Sequence, residues 1–462
     1  MPLASVRWQA LNNDHEAMTM IQMPAPVASS ADLPMAPITH QDAGLSLDLL
    51  IQLALKTLHF SGEMTGGQLA GRLGLNFSVI EPALDFLKAQ RQVEIAGGTM
   101  VGRASYRYRI TDSGRVRAAL FLETNQYVGV APVPFEQYRR YMTEFQKAAP
   151  RTATRDRVRD AFGHLVISQH VLDQLGPAIN AGHSMFVYGP PGNGKTVISQ
   201  AVRKLLGGAI AIPHAIEVEG AIIRLFDPVN HEPIVSSDDD QDQGLDLGLR
   251  HDRRWILCRR PMVMVGGELT LSALELNYNA TTGFYRAPVQ AIANGGVLVI
   301  DDFGRQQCAP RDLLNRWIVP LESRVDFLTL QSGQKIEVPF MVLVIFATNI
   351  KPADLVDEAF LRRIHYKVFA ESPTVAEFAL IFENCCRERD ISFVPGHVEH
   401  LLQNYYKPRK IALRGCQPRD LIDQALSLAD YRSEPRQLTP ELLDAACAGY
   451  FVDEQDRPVV YA

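Results

Sequence analysis

Residues 151 to 369 predict an α/β fold built on a parallel sheet, and three observations carry that expectation. Apolar runs suited to buried strands alternate with helical patterns. A Gly/Pro-rich loop stands between one such strand and a helix, in HSMFVYGPPGNGKTVISQAVRKLL. A second apolar run, in GGVLVIDDFGR, leads straight into two aspartates. After about Ala370 only helical patterns remain, so a helical domain over 370–462 is expected to close the chain. Before the α/β part, short helices and strands between 43 and 125 predict a separate α+β domain.

Size and composition bound these readings. At 462 residues the chain is too long for one compact domain. Its apolar content of 47% and charged content of 21% are those of a globular protein. The formal charge of −6 gives no bulk electrostatic reason to expect nucleic-acid binding. Six cysteines without regular spacing form neither a disulfide framework nor a metal-ligand pattern, which fits a reduced, cytoplasmic setting. The longest apolar runs, such as 341–347, fall far short of the roughly 20 residues that span a bilayer. The N-terminus has neither a basic start nor a continuous apolar stretch, which argues against a secretory signal.

In chain order, residues 1–42 are rich in Ala, Pro, Met and Ser without a period and read as a flexible tail. LSLDLLIQLALKTL has helical apolar spacing. MTGGQLAGRLGL reads as a short helix closed by Gly74, and FSVIEPALDFLKAQ as another. VEIAGG and SYRYRI read as two strands, followed by a helix capped at Thr111 or Asp112. This order over 43–125 resembles a winged-helix domain. Residues 126–150, with Pro132 and Pro134, read as a linker carrying a short helix.

The loop fits G-x-x-x-x-G-K-[ST] at Gly189, Gly194, Lys195 and Thr196, a match that chance supplies on the order of 1–2% of the time in a chain this long. Strand before and helix after lower that figure further, so a phosphate cradle is the preferred reading. Its glycines let successive N–H groups converge on phosphate oxygens, and the helix N-terminus adds partial positive charge. The expected nucleotide-binding residues are Gly189, Pro190, Pro191, Gly192, Asn193, Gly194, Lys195, Thr196 and Val197. Lys195 would reach the β/γ-phosphates and the Thr196 hydroxyl would ligate Mg²⁺ beside ATP.

Strand Val297–Ile300 places Asp301 at its C-terminal end, where such sheets hold ligands, and Asp301 is the second candidate Mg²⁺ residue. Asp302 is the candidate that orients the attacking water. VLVIFATNI reads as another buried strand, whose Asn349 could bond the γ-phosphate or that water. DEAFLRRIHYKVF reads as a helix ending in Arg362 and Arg363. Alone these arginines suit an exposed helix end. Beside a phosphate site, an arginine donated to a neighbouring subunit becomes the sharper reading.

Glycine loop, acid strand, Asn strand, arginine helix end and helical C-terminal part together resemble an AAA+ ATPase over roughly 151–455. The resemblance implies a P-loop core over 151–369 and a helical lid over 370–462. GCQPRDLIDQAL is similar to the family's second sensor, which makes Arg419 a γ-phosphate contact. WIVPLESRVDFLTLQSGQKIEVPFMVLVIFATN reads as a hairpin turning at Gln331, Ser332 and Gly333, placed as in the clade of MoxR-like chaperones, enhancer-binding activators and replicative helicases. KIEVPFMVLVIFATN is most like the MoxR pattern. The resemblance implies a ring, hexameric in expectation, that remodels an unidentified protein client. A DNA-linked regulator or loader and a non-hydrolysing nucleotide switch are the alternatives.

Asp302 stands where many relatives carry glutamate. One methylene moves the carboxylate by roughly 1.5 Å, and misplacement on that scale can cost about 100-fold in rate. Positioning and charge stabilisation by the other groups remain, and Asp-Asp here resembles the DnaA and IstB branches of the family. A slow, assembly-activated ATP hydrolase is therefore expected.

Two further stretches carry two readings each. The long segment between the loop helix and the acid strand holds an acidic run (Asp238, Asp239, Asp240, Asp242) and a basic cluster (Arg250, Arg253, Arg254, Arg259, Arg260), which fits a solvated loop of alternating charge. Phe284 and Tyr285 beside Gly283 fit buried aromatics, with a client-gripping pore loop as the alternative. In 45–125, nine Lys/Arg face seven Asp/Glu, and the helix that would enter a DNA groove carries Glu81 and Asp85 against Lys88. Carboxylates facing phosphates disfavour DNA, so a protein-docking role is preferred, although Arg103, Arg107, Arg109, Arg115 and Arg117 supply the wing.

Overall fold

The computed structural model describes residues 33–97, 102–148, 153–234, 250–356 and 358–451. Its centre is a five-stranded, all-parallel sheet of β1 (Met185–Tyr188), β2 (Met262–Val265), β3 (Val297–Ile300), β4 (Leu343–Thr348) and β5 (Tyr366–Phe369). The spatial order is β2-β3-β4-β1-β5. Every residue of β3 and β4 is buried, as expected for strands covered on both faces. One face packs against helices Lys195–Leu205 and Gln169–Ala181 through Ile198, Val202 and Leu175. The other buries Phe186, Phe303, Trp317 and Phe346. The expected parallel α/β core is present. β2 was not singled out in the sequence, and β5 lay inside the stretch read as the arginine helix, whose helical part ends at Leu361.

The C-terminal part is helical: Val375–Arg387, Pro395–Leu401, Gln417–Arg432 and Pro440–Tyr450 bury Phe378, Phe382, Leu421 and Leu443 together. Thr374 and Glu377 form a capping box at its first helix, satisfying two orphan N–H groups. Cys385 and Cys386 lie in that helix.

Helices Leu47–Ser61, Gly66–Leu73, Phe77–Ala89 and Asp112–Thr124 surround a three-stranded antiparallel sheet of Glu63–Thr65, Arg107–Ile110 and Val93–Gly97. Gly74 caps the second helix in the left-handed region and Thr111 caps the fourth, as expected. The strand Glu63–Thr65 escaped notice because three residues are too few to show alternation.

Three readings need correction. The expected tail, 1–42, lies outside the described residues as far as 32, but its last part is ordered. Ala36 N–H donates to Arg250 O at 3.2 Å, and His40–Ala43 forms a capped helical turn. Residues 126–148 carry the expected helix, Phe135–Ala148, but are not a linker: that helix buries Tyr138 and Met142, and Val133–Pro134 pairs in parallel with Ala215–Val218. The described part of the charged insertion is no solvated loop either. The acidic run lies outside the described residues, but what flanks it forms a second sheet. In spatial order this sheet comprises Asn277–Asn279, Phe284–Arg286, Ala221–Arg224, Ala215–Val218 and Val133–Pro134. Arg254, in the supposed basic cluster, is 1% exposed and bonded to Asp252, Ala43 O and Pro132 O. Complete pairing is what allows a guanidinium to be buried.

The Phe284–Tyr285 pair is structural. Tyr285 is buried and its hydroxyl accepts from Gln331 N–H at 2.9 Å, while Phe284 meets Tyr127 edge-on. The expected hairpin is Val325–Thr329 with Lys335–Pro339, with Gly333 at φ 86° in its turn. Among the described residues no helix is long and apolar enough to cross a membrane.

Candidate functional site

The site forms at the C-terminal ends of β1, β3 and β4, where successive strand directions bring loop backbone and side chains together. After Tyr188 the chain turns through Gly189 and Gly192, with φ of 148° and 80°, before helix Lys195–Leu205. A Cβ on Gly189 would lie 2.5 Å from Ala370 O, and one on Gly192 would lie 2.5 Å from Cys416 Sγ. Both glycines are therefore needed for close approach as well as for conformation.

Lys195 is 7% exposed. Its ammonium donates to Gly189 O (3.0 Å), Pro190 O (2.9 Å) and Asn349 Oδ1 (2.6 Å). Burial lowers its pKa below the ordinary lysine range and Arg414 adds to that, while Asp302 and Asp301 oppose it. The Thr196 hydroxyl donates to Asp301 Oδ2 at 2.8 Å. Asn349 Nδ2 donates to Asp302 Oδ1 at 3.0 Å. The sheet order explains this convergence: β4, which leads to Asn349, lies between β1 and β3.

Asp302 adopts a left-handed backbone, φ 48°. The turn lets Phe303 drop into the core, where its N–H donates to Ala347 O at 2.7 Å and its carbonyl accepts from Thr348 Oγ1 at 2.7 Å. Aspartate and asparagine tolerate that conformation better than other non-glycine residues. The short acid thus suits the backbone that carries it. Gln306 fixes the same turn, its amide donating to Asp301 O at 3.0 Å.

The other expected residues sit apart from this cluster. Arg362 is exposed. Arg363 is paired with Glu322 at 2.5 Å. Arg419 is turned to Asp420 at 3.0 Å. Pro191 and Val197 are exposed on the loop and the first helical turn.

Sequence reasoning missed Cys416, Arg414 and Ser168, whereas Asn193 was among the expected loop residues. Asn193 Nδ2 donates to Ala370 O at 3.2 Å and Cys416 N–H donates to Gly192 O at 2.8 Å, so the helical domain is bonded to the loop itself. Arg414 donates to Ser372 Oγ at 3.1 Å beside that contact. A cavity of about 130 Å³ opens next to the loop, lined by Val166, Ile167, Ser168, Asn193, Ser372 and Gly415, among others. The buried Ser168 Oγ has no hydrogen-bond partner among the described residues. The space and one unsatisfied polar atom suit a planar heterocycle. No local motif in FGHLVISQHVL marks it.

The carboxylate of Asp301 and hydroxyl of Thr196 are hard oxygen donors of the kind Mg²⁺ takes alongside phosphates and water. Among the described residues no group of three His, Cys, Asp or Glu could hold a metal by itself.

A domain of unknown function, DUF8689, matches residues 374–449, nearly the span of the helical domain. No curated protein matches the sequence. Among solved structures, NtrX from Brucella abortus in complex with ADP is similar at a TM-score of 0.37 and 16% identity, over 63% of this chain and 58% of that one. The RuvB Holliday junction branch migration motor of Thermotoga maritima is similar at 0.36 and 13%, over 63% of this chain and 72% of that one. The chain thus spans less than two thirds of NtrX.

Proposed function

We propose that this chain is an AAA+ type ATP hydrolase that works on a protein client in the manner of MoxR-like chaperones. The observation that carries the reading is the continuous set of bonds Gly189–Lys195–Asn349–Asp302 beside Thr196–Asp301. An ordinary glycine turn has no reason to bring an ammonium, an amide and two carboxylates to one sheet edge.

In the proposed mechanism the loop amides and Lys195 hold the β/γ-phosphates, and the pocket by Ser168 receives the base. Thr196 and Asp301 would hold Mg²⁺, which neutralises charge on the phosphates when bound. Asp302 orients the attacking water and accepts its proton, with Asn349 setting the angle of the carboxylate. Arg362, exposed and outside the Glu322 pair, is the arginine offered to a neighbouring subunit's γ-phosphate, with Arg363 holding the helix end. Arg419, with Arg414 nearer the loop, reports the nucleotide to the lid. A ring, hexameric in this reading, follows from an arginine acting in trans.

The 43–125 unit serves as a winged-helix-like docking domain. Its wing arginines support protein docking over DNA: Arg103 pairs with Glu81 and Asp85, and Arg107 and Arg109 both pair with Glu63. Cations already facing carboxylates offer little to phosphates.

Steady-state phosphate release by the wild type and by Asp302→Asn tests the proposal. The reading expects slow turnover that falls about 100-fold in the variant with ATP still bound. Equal rates would remove Asp302 from its role, and an ATP-free chain by calorimetry would overturn the whole.

A further inference from the structure

At the end of the sheet opposite the phosphate loop lies a second cavity, of about 250 Å³. It borders Gly296 and Leu343, which stand at the start of β3 and β4. Strand length separates it from the phosphate loop by roughly 15–20 Å. Two guanidiniums face it. Arg260 donates through Nε to Gly295 O at 2.6 Å and lies 5.3 Å from the ring centre of Phe145. Arg324 donates through Nη1 to Val342 O at 3.1 Å and through Nη2 to Gly182 O.

These contacts, together with Arg260 Nη1 donating to Leu206 O at 3.5 Å, orient the groups but carry no net charge. Among the described residues neither arginine has a carboxylate partner. Burial alone pushes Arg260 down to about 10 and lowers Arg324 below its ordinary range. His183, whose Nδ1 lies 3.4 Å from Arg324 Nη2, meets His365 with ring centres 4.8 Å apart, and neither imidazole adds negative charge. Two cations sharing one cavity without a counter-ion among the described residues are costly. Arg324 also holds a left-handed backbone, φ 58°, at the end of helix Ile318–Ser323. A bulky residue in that conformation points to a constraint worth its strain. Each guanidinium keeps N–H donors beyond those bonded here.

We propose that this cavity binds a small oxyanion, of phosphate or carboxylate chemistry, between Arg260 and Arg324. Planar forks match both anion types, and Phe145, Ile179 and Met341 supply an apolar wall for an organic portion. Four segments meet there: helix Phe135–Ala148 after the N-terminal domain, the end of helix Gln169–Ala181, Leu206 at the tail of the phosphate-loop helix, and the flank of the hairpin. An anion would tie them together, coupling the N-terminal half to the helix that begins in the loop. The inference does not depend on ATP hydrolysis.

The test uses the full chain carrying Lys195→Ala, which weakens phosphate binding at the loop. Calorimetric titrations with pyrophosphate and with citrate, at constant ionic strength set by chloride, distinguish the two chemistries. Saturable binding of either supports the site, and affinity should fall at least about tenfold for each of Arg260→Gln and Arg324→Gln. A crystal of the Lys195→Ala chain grown with tungstate should show an anomalous peak between the two guanidiniums. Arg260→Lys and Arg324→Lys replace the glutamine variants if those fail to fold. No binding of either anion, unchanged affinity in the variants, or a tungstate peak only elsewhere overturns the proposal.

Discussion

The Lys195 ammonium and the Asn349 side chain meet at 2.6 Å, although 154 residues separate them. The same amide donates to Asp302 at 3.0 Å, so one asparagine joins the lysine proposed to hold phosphate to the acid proposed to orient water. Asn349→Ala is expected to lower kcat more than it raises the ATP dissociation constant, because the amide acts on orientation. Stopped-flow ATP binding and steady-state turnover, measured together, separate the two.

Asp302→Glu is expected to lower turnover, although glutamate stands here in many relatives of the resembled family. The left-handed backbone at φ 48° tolerates aspartate better than glutamate, and the Asn349 bond is set for the shorter side chain. A loss of about tenfold or more in phosphate release is expected. A faster variant would show that the short acid is a handicap after all.

The two neighbouring arginines should behave differently. Arg362→Ala is expected to abolish the rise of specific activity with protein concentration while leaving ATP binding intact. Arg363→Ala removes an ion pair with Glu322 that is partly exposed and should cost no more than about 1 kcal/mol of stability. Turnover against concentration and denaturant midpoints test both.

Enlarging Ser168 should block the pocket proposed to receive the base. Ser168→Phe fills much of the roughly 130 Å³ cavity, and its ATP affinity is expected to fall about 100-fold while inorganic pyrophosphate binding at the loop persists. Equal loss for both ligands would move the base elsewhere.

Lys56 gives a signed pH dependence. It is 1% exposed, donates to Asn125 O at 3.1 Å, and burial lowers its pKa from 10.5 to about 8. The folded group releases its proton at lower pH than the unfolded one. Between about 8 and 10.5 the unfolded chain therefore binds more protons, and stability rises with pH through that window. The burial penalty, on the order of 3 kcal/mol, is fully present below pH 8. Lys56→Met should flatten the rise, read as denaturant midpoints between pH 7 and 10.5.

The glycine loop, the strands Met185–Tyr188 and Val297–Ile300, the turn at Gly333 and the caps at Gly74 and Thr111 were legible in the sequence. Each depends on backbone freedom, a hydrogen bond within a few residues, or an unbroken apolar run, and such terms are local. Strands too short to show a period, such as Glu63–Thr65 and Tyr366–Phe369, were not legible.

The tertiary structure alone decided what meets what. Only the order of the sheet brings Asn349 between Lys195 and Asp302. Only the second sheet turns residues 126–148 and the flanks of the charged insertion into part of the body. An arginine in a basic run looks solvated until its distant partners are known: Arg254 is buried because Asp252, Ala43 O and Pro132 O complete its bonds. Charge burial and strand adjacency are set by groups far away in the chain, and a sequence pattern carries no term for them.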